Sequence, residues 1–190
     1  MDLQRMVQLT IDSLAMKVPS KHFVGPALAL IGQGIVSPNP HMRKAACAVL
    51  GVISEGCCDA IRQRCYKLTD EQTNDRGSDY YHRITYPRLR LPEILPPLLQ
   101  SVQDPEFYVR ECACFALGQF SEYCQPDILH YHHAVLPVIF AALDDSKETV
   151  QATACYVQEM FCENLQKETL RPFLVPLMTR LANLLQNPAR

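Results

Sequence analysis

Apolar residues recur along this chain at helical spacing, and the stripe they form is written three times. Met42, Ala45, Ala46, Val49, Leu50 and Ile53 return 67 residues later as Val109, Cys112, Ala113, Ala116, Leu117 and Phe120. After a further 41 residues they return as Val150, Thr153, Ala154, Val157, Gln158 and Phe161. Steps of three and four residues place each set on one face of an α-helix. The register extends beyond the stripe: Cys47, Cys114 and Cys155 coincide, and so do Glu55, Glu122 and Glu163. A helical unit recurring near every 41 residues predicts an all-α solenoid of helix pairs, A then B, each buried only against its neighbours.

The pattern also predicts where the helices start and stop. Leu3, Met6, Val7, Thr10, Leu14, Ala15 and Val18 mark a first helix ended by Pro19, a B helix without an A partner before it. An A helix follows over about 20–36, and Pro40 sits in the opening turn of the next B helix, where its missing N–H is not needed. Asp104 followed by Pro105 reads as an N-cap and first-turn proline, and Asp144–Ser146 supplies the cap in the third copy. Each A helix carries proline: Pro26, then Pro96 and Pro97, then Pro137, then Pro176. An interior proline removes a hydrogen bond and bends the axis, so a bend is expected in each helix of the outer layer. Phe173, Leu174, Leu177, Met178, Leu181, Leu184 and Leu185 define a last A helix, about 169–186, with no B helix after it.

The expected architecture is therefore an α-solenoid of about four HEAT-type repeats, antiparallel helix pairs stacked in a right-handed superhelix around one continuous core. Repeats occupy 1–65 and 91–186, the terminal ones partial, and their uncovered stripes are expected to fray or to drive self-association. Residues 66–90 break the pattern: they are polar, have Asn74, Gly77 and Ser78 near their centre, and account for the excess of the 67-residue step over the 41-residue one. They read as a mobile inserted loop, either functional or an insert without a role.

Charge changes the picture once it is divided along the chain. The formal net charge is only −2, yet residues 91–170 hold twelve acids against three bases, Arg110, Lys147 and Lys167. An acidic array repels nucleic acid and attracts basic proteins. Nine cysteines could suggest a disulfide framework, but several follow the repeat, Cys57 matching Cys124 as well, so they fill packing positions as small apolar side chains. Met1 leads straight into a charged amphipathic helix without a signal peptide, which points to a reducing compartment. No apolar run approaches the ~20 residues a spanning helix needs, so no membrane insertion is expected. His130, His132 and His133 lie near Cys124 without the spacing of a zinc site, and read as a solvated turn. No phosphate-binding loop or nucleophile elbow is present. The expectation is a protein without catalytic, cofactor or metal sites that works through its surface.

Two runs carry a resemblance to a known family. One contains Arg43-Lys44-Ala45-Ala46, then Ser54-Glu55-Gly56 and Ile61-Arg62-Gln63-Arg64; the other contains Ala116-Leu117-Gly118-Gln119-Phe120-Ser121-Glu122. Together they resemble nuclear transport receptors of the importin-β superfamily, and within it the importin-4-like branch. The resemblance covers about 1–65 and 91–186. It implies a receptor that shuttles between cytoplasm and nucleus, takes basic cargo such as histones or ribosomal proteins, and releases it when the GTPase Ran binds. Through the full-length receptor it implies contact with nuclear pore proteins.

The candidate cargo-binding residues are Glu111, Phe115, Glu122, Tyr156, Glu159 and Glu163, on the side of the B helices opposite the buried stripe. Carboxylates beside aromatic rings suit lysine and arginine through ion pairing and cation–π contact. Glu55, Glu122 and Glu163 are each expected near the C-terminal end of a B helix, where the macrodipole disfavours a carboxylate. A second reading fits the same residues: the glutamates bond the neighbouring repeat and Phe115 packs between helices. Arg62, Arg64, Arg88 and Arg90 bracket the insert, as a patch for an acidic partner or as ordinary surface charge. At the level of function, a HEAT scaffold such as a phosphatase regulatory subunit is the alternative to a transport receptor. The scaffold would be expected to show an apolar docking ridge.

Overall fold

The computed structural model describes residues 2–62 and 91–186, and every regular element among them is helical. The helices are α1 (Leu3–Lys17), α2 (Ser20–Ile35), α3 (Pro40–Val52), α4 (Ser54–Arg62), α5 (Leu91–Ser101), α6 (Phe107–Tyr123), α7 (His132–Leu143), α8 (Glu148–Asn164) and α9 (Lys167–Gln186). A 3₁₀ turn, Asp127–Tyr131, precedes α7. The A layer is α2, α5, α7 and α9. The B layer is α1, then α3 continued by α4, then α6 and α8, with α6 packed between α3 and α8. Segment 66–90, with Arg64, Arg88 and Arg90 and the side chain of Arg62, lies outside the described residues.

The three stripes enter one apolar core. Leu50, Ile53, Ala113, Ala116, Leu117, Phe120, Val150, Ala154, Val157 and Phe161 are buried in a single cluster, with Val49 packed against it, and Val109 is also buried. Two residues of the first stripe depart from the expectation. Met42 is 52% exposed and Ala45 is exposed, because α1, α2 and α3 leave an open apolar groove of about 560 Å³ between them. The register cysteines pack as small apolar groups: Cys47, Cys57 and Cys114 are buried and Cys155 is partly so. Burial pushes the Cys47 and Cys114 thiols up to about 12 and Cys57 to about 11. The prolines fall inside the A helices as expected, with Pro172 an additional one in α9.

Local chemistry corrects three boundaries. The first B helix breaks at Ile53, whose N–H turns to the Gly51 and Val49 carbonyls before α4 begins at Ser54. Asp104 and Asp145 do not sit at the N-cap positions, which are Glu106 and Lys147. Instead each accepts the N–H two residues on, Glu106 at 3.0 Å and Lys147 at 2.9 Å, in an Asx turn that leads into the helix. This places their carboxylates beside an arginine of the preceding repeat.

Arg43 spans to Asp104 through Nε (2.6 Å) and Nη2 (3.0 Å), and Arg110 spans to Asp145 through Nε (2.6 Å) and Nη2 (2.9 Å). Each arginine also donates Nη1 to two carbonyls of its own inter-helix turn, Ser37 and Pro38 or Asp104 and Pro105. One guanidinium thus fixes its own turn and the next repeat together. The ladder ends in neutral residues: Gln151 takes the arginine position in the third copy and Ser37 the aspartate position in the first.

The hydrogen bonds from Arg110 hold Asp145 below the usual carboxylate range, against burial, which pushes the other way. For Asp104, burial is the larger single effect and raises it, but the bonds from Arg43 and the Glu106 N–H together bring it below that range. A depressed carboxylate contributes stability above its unfolded value near ~3.9, and that contribution is lost as pH falls through the lower folded value. Arg110→Ala is expected to cost about 1–3 kcal/mol at neutral pH, since charged hydrogen bonds to a half-buried partner are lost. The gap between wild type and variant in urea midpoint should narrow below about pH 4. A gap unchanged down to pH 2 would mean that Asp145 does not carry it.

The third copy carries a polar fault in the core. In the first two copies Leu50 and Leu117 are buried, and Ser54 and Ser121 donate to their carbonyls at 2.9 and 2.7 Å. The third has Gln158 and Cys162 at these positions. Gln158 is 3% exposed, its amide donates to Cys162 Sγ at 3.1 Å, and no donor among the described residues reaches its Oε1. A buried, unsatisfied carbonyl costs about 1–3 kcal/mol. Gln158→Leu is therefore expected to raise the unfolding midpoint, by about 1–2 kcal/mol after repacking losses. An unchanged or lowered midpoint would show that the amide is satisfied in solution.

Candidate functional site

The B layer positions the candidate residues through a second repeating device, a ring laid over a glycine. A methyl added at Gly51 would stand 2.7 Å from the Phe115 ring, and one at Gly118 would stand 2.6 Å from Cδ1 of Tyr156. Gly51 and Gly118 share one register, as do Phe115 and Tyr156. Each aromatic therefore fills a seat that only a residue without a side chain leaves open on the preceding B helix. One face of each ring is committed to that contact, and both residues are partly buried.

Around the rings the carboxylates are held by phenols. The Tyr156 hydroxyl donates to Glu122 Oε2 at 2.7 Å and accepts from Gln119 Nε2 at 3.0 Å. Burial first, then the Glu122 carboxylate, pushes the Tyr156 phenol up to about 12. Burial also raises Tyr123, followed by the charges of Glu122 and Glu55, so both repeated carboxylates stand near one phenol. At neutral pH both phenols keep their protons, and the Tyr156 hydroxyl is the donor to Glu122.

Glu55 differs from its repeat mates. The break at Ile53 puts it in the first turn of α4, where the macrodipole favours a carboxylate, rather than at the end of a B helix as its register suggested. Glu122 and Glu163 lie in the last turns of α6 and α8, as expected. Glu111 is partly buried near Cys112 and Cys114, whose thiols it helps to raise after burial has done so. Glu159 and Glu163 are exposed on α8. The structure thus joins Glu122 to Tyr156 directly and Glu55 to Glu122 around Tyr123, while Glu159 and Glu163 stand separately on the next helix.

A shallow groove of about 300 Å³ runs beside this network between α1, the α3–α4 break and α6. Leu9, Val52 and Phe115 supply apolar surface, Asp12 and Glu55 supply carboxylates, and Arg5 stands at the same groove. The α1 residues were not singled out from the sequence. Their signal is weak, because α1 carries no copy of the Glu55 register, and only its place in the B layer brings Arg5 and Asp12 to this face.

The remaining candidates are structural. His130 and His133 are exposed, while His132 is partly buried with Nδ1 2.9 Å from the Leu129 carbonyl and its ring edge-on to Phe173. No group of ligands able to hold a metal occurs among the described residues, and no helix there is long and apolar enough to cross a membrane.

Comparison with known proteins agrees with this geometry. Residues 94–124 match the HEAT repeat family. Human importin-4 is 34% identical over 137 residues, which is 70% of this chain and 10% of that protein. The budding yeast importin subunit beta-3 is 26% identical over 179 residues, 93% of this chain and 14% of that protein. Among solved structures, Kap121p bound to RanGTP superposes with a TM-score of 0.78 at 25% identity, covering all of this chain and 17% of that one. Kap121p bound to Nup53p does so with a TM-score of 0.79, also at 25% identity, over all of this chain and 16% of that one. The chain spans about a tenth of the length of the importin-4 proteins it matches. Its HEAT match and its relatives agree: the chain belongs to the importin-β family and corresponds to a HEAT-repeat stretch of these nuclear transport receptors.

Proposed function

We propose that this segment serves a nuclear import receptor by holding basic cargo, of the histone or ribosomal-protein kind, on the acidic face of its B layer. In this reading the receptor shuttles between cytoplasm and nucleus, meets nuclear pore proteins on the way, and gives up cargo when Ran in its GTP form binds. The observation that carries it is the Glu55–Tyr123–Glu122–Tyr156 cluster, where Glu122 accepts from the Tyr156 hydroxyl and Glu55 and Glu122 both stand near Tyr123. Three other acids of the 91–170 region are neutralised, Asp104 and Asp145 by the ladder and Asp144 by Arg180 at 2.9 Å. The excess that remains is therefore concentrated on the helices of the B layer and their ends. Kap121p, its structural neighbour, has been captured with RanGTP, with Nup53p and with Pho4p, which supports partners of these kinds for this family.

A labelled, lysine-rich peptide resembling a histone tail should bind the chain, weakly and in a salt-dependent way. Each exposed ion pair contributes about 0.2–1 kcal/mol, and screening shortens its reach to about 10 Å at 0.1 M salt. Absence of binding at low salt would remove cargo recognition from this segment.

A further inference from the structure

Gln119 breaks the pattern of its own register. The equivalent positions are Val52 in the first copy and Met160 in the third, so the second copy alone places an amide there. The side chain is partly buried on α6 and lines the shallow groove together with Val52, Glu55 and Phe115. Its Nε2 lies 3.0 Å from the Tyr156 oxygen, and that hydroxyl lies 2.7 Å from Glu122 Oε2.

The direction of these bonds follows from the protons each group has to give. An ionised carboxylate only accepts, and a phenol has a single proton. Glu122 takes that proton, so the Tyr156 oxygen has only lone pairs left for Gln119. The amide must then turn its NH2 toward Tyr156 and its carbonyl oxygen the other way, toward the groove. A free primary amide offers either end and meets donors and acceptors equally well. This one is held in a single sense.

We infer that Gln119 is a specificity-determining residue of the B-layer face: Glu122, acting through Tyr156, fixes its amide so that the groove presents an acceptor to a bound ligand. The matching group is an N–H donor, and in the cargo contact proposed above, on which this inference rests for its ligand, it is a lysine ammonium. Gln119 Oε1 adds a neutral acceptor near the Glu55 carboxylate, while Val52 and Phe115 offer apolar surface to the lysine methylenes. A donor arriving there does not have to order the amide first. A ligand carboxylate meets acceptors only, so the same arrangement works against an acidic peptide.

Two variants of the 190-residue chain test this. Gln119→Met borrows the residue of the third copy and removes the acceptor. Tyr156→Phe keeps a ring over Gly118 and removes the hold on the amide. In titrations with the lysine-rich, histone-tail-like peptide at low salt, Gln119→Met should bind about tenfold more weakly, the loss of one hydrogen bond to a charged group. Tyr156→Phe should weaken binding by about threefold, and by less when Gln119→Met is already present. Side-chain amide NMR reads the hold without any ligand: the Gln119 NH2 should exchange slowly with water in wild type and faster in Tyr156→Phe. An exchange rate indifferent to Tyr156→Phe, an affinity indifferent to Gln119→Met, or a Tyr156→Phe loss undiminished in the Gln119→Met background would overturn the inference and leave basic cargo on this face. A wild type that binds no peptide at low salt would remove the cargo reading, and with it the role given to Gln119.

Discussion

Gly118→Val should be among the most damaging single substitutions in this chain, lowering stability by about 3 kcal/mol or more. A side chain at Gly118 must displace the Tyr156 ring, and Ala116 and Leu117 beside it are fully buried, so the backbone has little room to retreat. Moving the ring also breaks the Tyr156–Glu122 and Gln119–Tyr156 hydrogen bonds, which adds about 1 kcal/mol for each. Gly32 is the natural control, since a methyl there meets nothing within 4 Å. Gly32→Ala should be neutral or stabilising, because alanine reduces the freedom of the unfolded chain and suits a helix interior better. Urea unfolding of the two variants would decide the point. Similar midpoints for Gly118→Val and Gly32→Ala would show that the ring-over-glycine seat does not couple the repeats.

How much of this was legible beforehand depended on the range of each interaction. The stripes, the A-helix prolines and the cysteine register could be read because helical periodicity is local and the copies repeat it. The ladder was not read, although its marks were present: Arg43 and Arg110 are 67 apart, Asp104 and Asp145 are 41 apart, the same steps as the stripes. A cap is the local explanation for Asp104 and Asp145, whereas the arginines that hold them lie 61 and 35 residues earlier. The seats at Gly51 and Gly118 were missed for the same reason. A glycine inside a helix reads as a weakness until the ring that occupies its empty side is known. The break at Ile53 left no clear signal, since the apolar spacing continues from Leu50 through Ile53 to Cys57 without interruption.

The candidate binding residues were found through the same register, but their roles needed geometry. Phe115 and Tyr156 serve as inter-repeat packing as well as surface, so the cation–π contribution proposed for them is limited to the ring face and edge that the glycine leaves open. Glu122 is set in place by Tyr156, and in the proposed cargo contact a fixed carboxylate loses less entropy when a lysine arrives. Glu159 and Glu163 lack such support and act, in this account, as long-range attraction along the face.

The largest functional effect should follow from removing that charge while keeping the packing. Glu111→Lys, Glu159→Lys and Glu163→Lys combined with Glu122→Gln change four candidate positions but leave an acceptor for the Tyr156 hydroxyl. At about 0.2–1 kcal/mol for each exposed pair, plus repulsion from the new lysines, binding of a lysine-rich peptide should weaken by about a hundredfold or more at low salt. Helical content should not change, since none of the four side chains belongs to the buried stripes. The measurement that tests the central claim most directly is a pair of binding isotherms, wild type and this variant, with the histone-tail-like peptide at low and at physiological salt. Wild-type affinity should fall as salt rises, and the variant should bind little at either salt. Equal affinity for the two proteins, or a wild-type affinity indifferent to salt, would contradict it.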